Sequence, residues 1–285
     1  MLENIKSVGV VGSGLMGLGI AQVVATAGFP VTLCDISEEA VGRGLGQIKK
    51  QLAKDVSKGK KDQATADQIL GNIQTTCDYR QLADADMVFE AVFEKMAVKK
   101  DLYTKLDTVC KPTCIFASNT SGLSITEIAS VTQRSDKVVG THFFNPVPVM
   151  KLLELVRGYN TSEETFQTAL DMGARIGKET ISVKEAPLFC VNRILVPMIN
   201  EAMFVLAEGI ASAEDIDKGM ILGANHPIGP LALADLVGLD TLLMVMQTLY
   251  QETCDSKYRP CPLHVQMVRA GHFGRKTGQG FYKYD

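Results

Sequence analysis

The sequence predicts a doubly wound α/β domain followed by an all-helical domain. Short apolar runs at 7–11, 31–34, 87–92, 115–117, 138–142, 152–156 and 181–183 alternate with helical stretches, the pattern of a mostly parallel sheet wound by crossover helices. After 183 the strand-like runs stop, and 190–208 and 212–222 read as helices. The change falls near Glu185 to Pro187. A first domain over 1–185 and a second over 186–285 are therefore expected, with their junction as the natural place for a ligand cleft.

Taken in chain order, the first apolar run ends in glycines and leads into an alanine-containing helical segment at 15–27, giving strand, turn and helix. The second run is followed by Asp35 and then by Ser37, Glu38 and Glu39, a helix cap with an acidic first turn. From 38 to about 71 the chain is polar and rich in lysine. Apolar residues there, Val41, Leu45, Ile48, Leu52 and Val56, are spaced by three or four, which predicts an exposed helical arm. Ser124 with Glu127 forms a capping-box pattern for a later helix. In the second domain the apolar runs 231–236 and 239–246 exceed what one small helical layer buries, which points to a two-fold homodimer through that domain.

Composition narrows the function classes. Of 285 residues, 46% are hydrophobic and 21% charged, which excludes a disordered chain and fits an enzyme-sized globular protein. The formal net charge of -3 argues against a nucleic-acid partner, which calls for a basic excess or a clustered basic face. The seven cysteines are an odd number without zinc spacing: Cys110 and Cys114 are the closest pair and lack a second pair. Reduced thiols and no metal site are expected. The first residues run directly into a strand with no leader pattern, and no apolar stretch reaches membrane-spanning length, so a cytoplasmic protein without a membrane partner is expected.

Two groups of residues carry chemistry. Gly12-Ser13-Gly14-Leu15-Met16-Gly17 matches G-x-G-x-x-G between a strand and a helix, where bare backbone can approach a pyrophosphate at the helix N-terminus. Asp35 follows about twenty residues on, at the end of the second strand, where a carboxylate can bind both ribose hydroxyls and repel a 2′-phosphate. Together they predict a Rossmann-type domain that binds NAD rather than NADP. A tight turn and a helix-entry carboxylate are the plainer alternative.

The second group lies at the ends of later strands. Ser118-Asn119-Thr120-Ser121 follows one apolar run and His142-Phe143-Phe144-Asn145-Pro146 another, and open α/β sheets place their sites at such carboxyl ends. His142 alone of the four histidines has this setting. Removing a hydride from a secondary alcohol requires a base near working pH, which imidazole supplies, and Glu154 could orient and charge-stabilise the ring. Taken separately, His142, Glu154 and Asn192 also fit a satisfied core histidine, a strand-edge charge and a helix-cap residue.

Over nearly its whole length the chain resembles the L-3-hydroxyacyl-CoA dehydrogenase family. The resemblance is carried by Val10-Val11 with the glycine motif, by Ser118-Asn119-Thr120-Ser121 and by His142 through Lys151. Phe189-Cys190-Val191-Asn192-Arg193 and Gly274-Arg275-Lys276-Thr277-Gly278-Gln279-Gly280-Phe281-Tyr282 complete it. It implies an oxidoreductase that transfers hydride between NAD and a 3-hydroxyacyl-CoA such as 3-hydroxybutyryl-CoA, forming acetoacetyl-CoA. It also implies His142 as general base, Glu154 as its partner, and Ser121 and Asn192 as hydrogen-bonding groups for the substrate oxygen or the nicotinamide. Ser121 is preferred to Ser118 because its position relative to His142 matches the family pattern. By the same resemblance Glu94, Lys99, Asn145 and Lys276 fall at cofactor-associated positions. Lys54 and Lys58, at i and i+4 on one helix face, are placed to attract the phosphates of coenzyme A, although alone they also fit a solvated lysine face. Oxidation of a free β-hydroxy acid and a catalytically silent nucleotide-binding protein are the competing readings.

Overall fold

In the computed structural model, which describes residues 2–284, the chain divides into two compact units, Met1–Ala186 and Pro187–Asp285. The division lies one residue beyond the expected break between 185 and 186.

The first unit opens with β1 (Val8–Val11), α1 (Leu15–Thr26), β2 (Val31–Cys34), α2 (Glu38–Ser57), α3 (Gln63–Gly71) and β3 (Ile73–Thr76). It continues with β4 (Met87–Glu90), α4 (Met96–Val109), β5 (Ile115–Ser118), α5 (Ile125–Ala129), β6 (Val138–Phe143), β7 (Leu152–Arg157), α6 (Glu163–Arg175) and β8 (Glu179–Lys184). The strands form one sheet in the order β3-β2-β1-β4-β5-β6-β7-β8. All neighbours are parallel except β6 and β7. Every residue of β1, β4, β5 and β6 is buried, as expected of strands covered on both faces.

Because strand side chains alternate between faces, the unit has two unlike sides. Val8, Val10, Met87, Phe89, Ile115, Ala117, Val139, Phe143, Leu153 and Leu155 join a core with residues of α1, α2, α3 and α6. The alternate positions, among them Glu90, Phe116, Ser118, His142 and Glu154, lie on the other side. There Lys99 of α4 bonds Glu90, and Tyr103 of α4 meets the Phe116 ring edge-on with centroids 5.6 Å apart. The buried ionisable residues of these strands, Glu90, His142 and Glu154, thus gather on one face.

Helix starts follow local chemistry. Ser37, Asp62, Ser124 and Ser162 each accept a bond from the backbone amide three residues on, satisfying an otherwise orphaned donor. The Ser124 cap forms, but the reciprocal half of the expected box does not, because Glu127 pairs with Lys100 instead. Glu185 closes the same helix start from the end of the unit, accepting from the Ser124 and Thr126 hydroxyls.

Two expectations are corrected. The 38–71 segment is not an exposed arm: Val41, Ile48 and Leu52 are buried in the main core, with Leu45 and Val56 packed against it, so only the polar face meets solvent. The segment also breaks after Ser57, with Lys58 as a non-helical C-cap before α3 begins at Gln63. In addition, β3 escaped the sequence reading, because its IQTT carries one apolar residue and exposes its two central positions at the sheet edge.

The second unit comprises α7 (Val191–Ala207), α8 (Ala213–Ala224), α9 (Pro230–Val237), α10 (Leu239–Thr253) and α11 (Pro262–Arg269) around a core that includes Val196, Ile199, Met203, Leu231, Leu242 and Met246. Two buried carboxylates organise it. Asp217 accepts from the Leu231 and Ala232 amides at the start of α9, while Asp235 accepts from the Phe281 and Tyr282 amides and so pins the C-terminal segment. Among the described residues it contains isolated bridges but no strand, and no single helix of the chain is long and apolar enough to cross a membrane.

Burial of the α2 stripe has a measurable consequence. Ile48→Ala should lower stability by about 2–5 kcal/mol in urea unfolding followed by circular dichroism, because it leaves a cavity in the core. A change below about 0.5 kcal/mol, as for a surface site, would show that α2 does not anchor the unit.

Candidate active site

The β1–α1 turn is shaped by contacts that only glycine tolerates. Gly12 has φ +103°, and a Cβ there would lie 2.5 Å from the Ala91 carbonyl oxygen. A Cβ on Gly17 would lie 1.8 Å from the Gly12 carbonyl oxygen, so the first turn of α1 rests directly on the loop. Gly14, the N-cap of α1, has open space where a side chain would stand, and no side chain caps the helix. The arrangement leaves the positive end of a helix and its backbone amides facing an opening, which fits a pyrophosphate. The turn lies at the end of β1, whose neighbours β2 and β4 carry the chain off in opposite directions across the sheet, the switch point where dinucleotides bind.

Asp35 stands beside this turn at the end of β2. One of its oxygens accepts from the Ser13 amide and hydroxyl, each at 2.5 Å, and the other from the Ile36 amide at 2.7 Å. These bonds fix the carboxylate next to the opening while it remains partly exposed. The residues present therefore fit an NAD dinucleotide.

The second group is assembled by strand register. The antiparallel pairing of β6 with β7 sets His142 directly opposite Glu154, and residues so paired project on the same face. His142 Nδ1 lies 2.6 Å from Glu154 Oε2, and Glu154 is wholly buried. A carboxylate at that distance requires the proton on Nδ1, which makes Nε2 the proton-accepting nitrogen of the neutral ring. Phe144 packs against the imidazole with centroids 4.5 Å apart. The pair can accept a proton, with the buried carboxylate stabilising the resulting imidazolium.

The segment after β5 is tied to both neighbouring strands. Asn119 donates its amide to the Glu90 carbonyl and accepts from the Phe143 amide through its side chain. Thr120 and Ser121 both donate to Glu94 Oε1: the Thr120 hydroxyl at 2.6 Å, the Ser121 amide at 2.7 Å and the Ser121 hydroxyl at 3.0 Å. Burial alone would raise the Glu94 carboxyl, but the Lys99 ammonium, with the bonds from Thr120 and Ser121, outweighs it and holds the group below its ordinary value.

The remaining expected residues are placed differently. Lys99 is wholly enclosed between Glu90 and Glu94. Asn145 is exposed in the segment after β6, before the cis peptide to Pro146. Lys54 and Lys58 are both exposed, but Lys54 is in the last turn of α2 and Lys58 is its C-cap, which corrects the expectation of one continuous helix face. Asn192, the second residue of α7, and Lys276, ion-paired with Asp240, belong to the second unit. Glu90 was missed by the sequence reading. A carboxylate ending the otherwise apolar run Met87-Val88-Phe89 was the available signal, since such a residue must be paired if buried. Among the described residues no group of three or more His, Cys, Asp or Glu side chains is placed to hold a metal ion.

The turn geometry separates two glycine substitutions. Gly14→Ala should leave thermal stability unchanged yet weaken NADH binding at least about tenfold in fluorescence titration, whereas Gly17→Ala should lose both stability and binding. Unweakened binding in Gly14→Ala would remove the α1 terminus as the phosphate site.

Comparison with known proteins gives this geometry its family. The model of the 3-hydroxyacyl-CoA dehydrogenase NAD binding domain matches residues 7–186, and that of the 3-hydroxyacyl-CoA dehydrogenase C-terminal domain matches 189–284. The chain is 51% identical over 276 residues to a 3-hydroxybutyryl-CoA dehydrogenase of Clostridioides difficile, covering 97% of this chain and 98% of that protein. It is 49% identical over 282 residues to a probable 3-hydroxybutyryl-CoA dehydrogenase of Bacillus subtilis, covering 99% and 98%. The crystal structure of (S)-3-hydroxybutyryl-CoA dehydrogenase from Ralstonia eutropha superposes with a TM-score of 0.97 at 49% identity, covering 99% of this chain and all of that one. A glycine turn open to phosphates, a strand-end aspartate and matches along both units converge on one assignment: the chain belongs to the 3-hydroxyacyl-CoA dehydrogenase family of NAD-dependent oxidoreductases acting on a CH–OH group.

Proposed function

We propose that the protein interconverts (S)-3-hydroxybutyryl-CoA and acetoacetyl-CoA, with His142 and Glu154 as its proton-transfer pair. The observation that carries this reading is the 2.6 Å contact between His142 Nδ1 and the buried Glu154 carboxylate. The relatives named for 3-hydroxybutyryl-CoA support the choice of acyl group. NAD, when bound, accepts a hydride from the hydroxyl-bearing carbon and returns it in the reverse direction.

In oxidation, His142 Nε2 takes the hydroxyl proton as the carbon gives up its hydride, and in reduction it gives the proton back. Glu154 keeps the proton on Nδ1 throughout and lowers the cost of the imidazolium, the part a carboxylate plays toward histidine in hydrolase triads. Ser121, held by Glu94, and Asn192 are assigned to the substrate oxygen or the nicotinamide, where donated hydrogen bonds favour developing alkoxide character. Asn145 and Lys276 are assigned to the cofactor on the family resemblance. Lys54 and Lys58, both exposed cations, are assigned to the phosphates of coenzyme A.

The second unit presents apolar side chains that the single chain leaves in solvent, including Ile194, Ile210, Leu222, Leu236 and Met244. A homodimer through this unit accounts for them. A dimer mass at micromolar concentration in light scattering is expected; a monomer would refute it.

The reaction is tested by loss of reduced-nicotinamide absorbance with acetoacetyl-CoA, using free acetoacetate and NADPH as controls. NADH-dependent loss confined to the CoA ester is expected, and turnover of free acetoacetate alone would overturn the substrate class. His142→Gln should lower turnover by about 10²–10⁴-fold with NADH affinity retained. Near-normal turnover in that variant would reject His142 as the base.

A further inference from the structure

Glu90 is the last residue of β4, in register with Val11 of β1 and Ser118 of β5, and is wholly buried. One of its oxygens accepts from Lys99 Nζ at 2.6 Å and from the Val92 amide at 2.9 Å, and the other from the Ser118 hydroxyl at 2.6 Å. The same ammonium lies 3.2 Å from Glu94 Oε2. Glu94 in turn holds Thr120 and Ser121 through its other oxygen. A ladder Glu90–Lys99–Glu94–Ser121 therefore runs from inside the unit to the carboxyl edge of the sheet.

The ladder is unbalanced in charge. With both carboxylates ionised and the lysine protonated it carries one negative charge in excess. Lys99 is fully enclosed, while the Glu94 side chain is 31% exposed, so the excess opens outward only through Glu94. Pairing one buried ammonium needs one carboxylate, and a second adds to the cost of burial, so the ion pairing by itself gives no reason for the surplus.

The direction of a bound dinucleotide supplies a reason. Its phosphates fit at Gly14 and its adenosine ribose at Asp35, on the β2 side of β1. The other half then extends over the ends of β4 and β5, toward His142 at the end of β6. That half carries the nicotinamide, whose ring is positively charged when oxidised and neutral when reduced.

We infer that Glu90 is a positioning residue: through Lys99 it holds Glu94 at the nicotinamide half of the crevice and supplies the surplus negative charge that favours oxidised over reduced cofactor. This rests on the reading that hydride transfer takes place next to His142. The chain thereby sets the balance between the two cofactor forms with a carboxylate that touches neither cofactor nor substrate.

The test is to measure dissociation constants for NAD⁺ by calorimetry and NADH by fluorescence in the full-length protein and two variants. Glu90→Gln removes the surplus charge and should shift the ratio of the two constants toward NADH by about tenfold, whereas Glu90→Asp keeps the charge and should stay within about twofold of wild type. Equal weakening of both forms in Glu90→Gln, the mark of a purely structural role, would overturn the inference, as would an unchanged ratio. If Glu90→Gln does not fold, Glu94→Gln removes the same charge from a partly exposed position and must shift the ratio in the same direction; an unshifted ratio there also overturns it. Wild-type turnover of acetoacetyl-CoA separates the two readings. Normal turnover with an unshifted ratio rejects the role of Glu90 alone, and absent turnover with a shifted ratio rejects the reaction alone while supporting that role.

Discussion

The pairing of Val138–Phe143 with Leu152–Arg157 runs antiparallel in a sheet whose other pairings are all parallel. That reversal lets residues twelve apart in sequence stand opposite one another, so that His142 and Glu154 form one hydrogen-bonded unit. A parallel crossover would have separated them. Shifting the register by a single residue would turn one of the two side chains to the other face of the sheet. The apolar positions on either side guard against such a slip: Phe143, Leu153 and Leu155 are committed to the core on the opposite face, and moving them would expose that surface to the polar side.

The same alternation explains why the polar residues of the central strands collect together. One face of β4, β5, β6 and β7 contributes apolar side chains to the main core, and the other contributes Glu90, Ser118, His142 and Glu154. Charges placed this deep need partners, and each has them. Glu90 receives three donors, Lys99 is shared by two carboxylates and Glu154 meets the imidazole. Such networks hold their members in one geometry because a broken contact leaves a desolvated charge. The glycine turn works by the opposite means, excluding side chains so that backbone amides face an opening. One end of the sheet thus pairs a bare backbone turn with a wall of hydrogen-bonded polar side chains.

Much of this was legible in the sequence where the signal is local. The glycine spacing, the aspartate after the second apolar run, the serine helix caps and the long apolar strands each follow from backbone sterics or short-range hydrogen bonding. The failures lay where contacts between distant segments decide the outcome. IQTT lacks the apolar density of a strand and is one only because β2 pairs with it along the sheet edge. The stripe along α2 was read correctly as amphipathic, yet nothing in it says whether its apolar face meets the core. Packing against α1, α3 and β3 decided that.

The sequence by itself determined most of the strands and helices, the glycine turn and the kinds of residue available for chemistry, because those depend on neighbours within a few positions. Only the tertiary structure decided which of them meet. The His142–Glu154 contact depends on strand direction, the enclosure of Lys99 on where α4 lies against β4, and the part played by Glu90 on a register that joins three strands. Each is a contact between segments distant along the chain, and its energy comes from burial and charge pairing that no single segment carries alone.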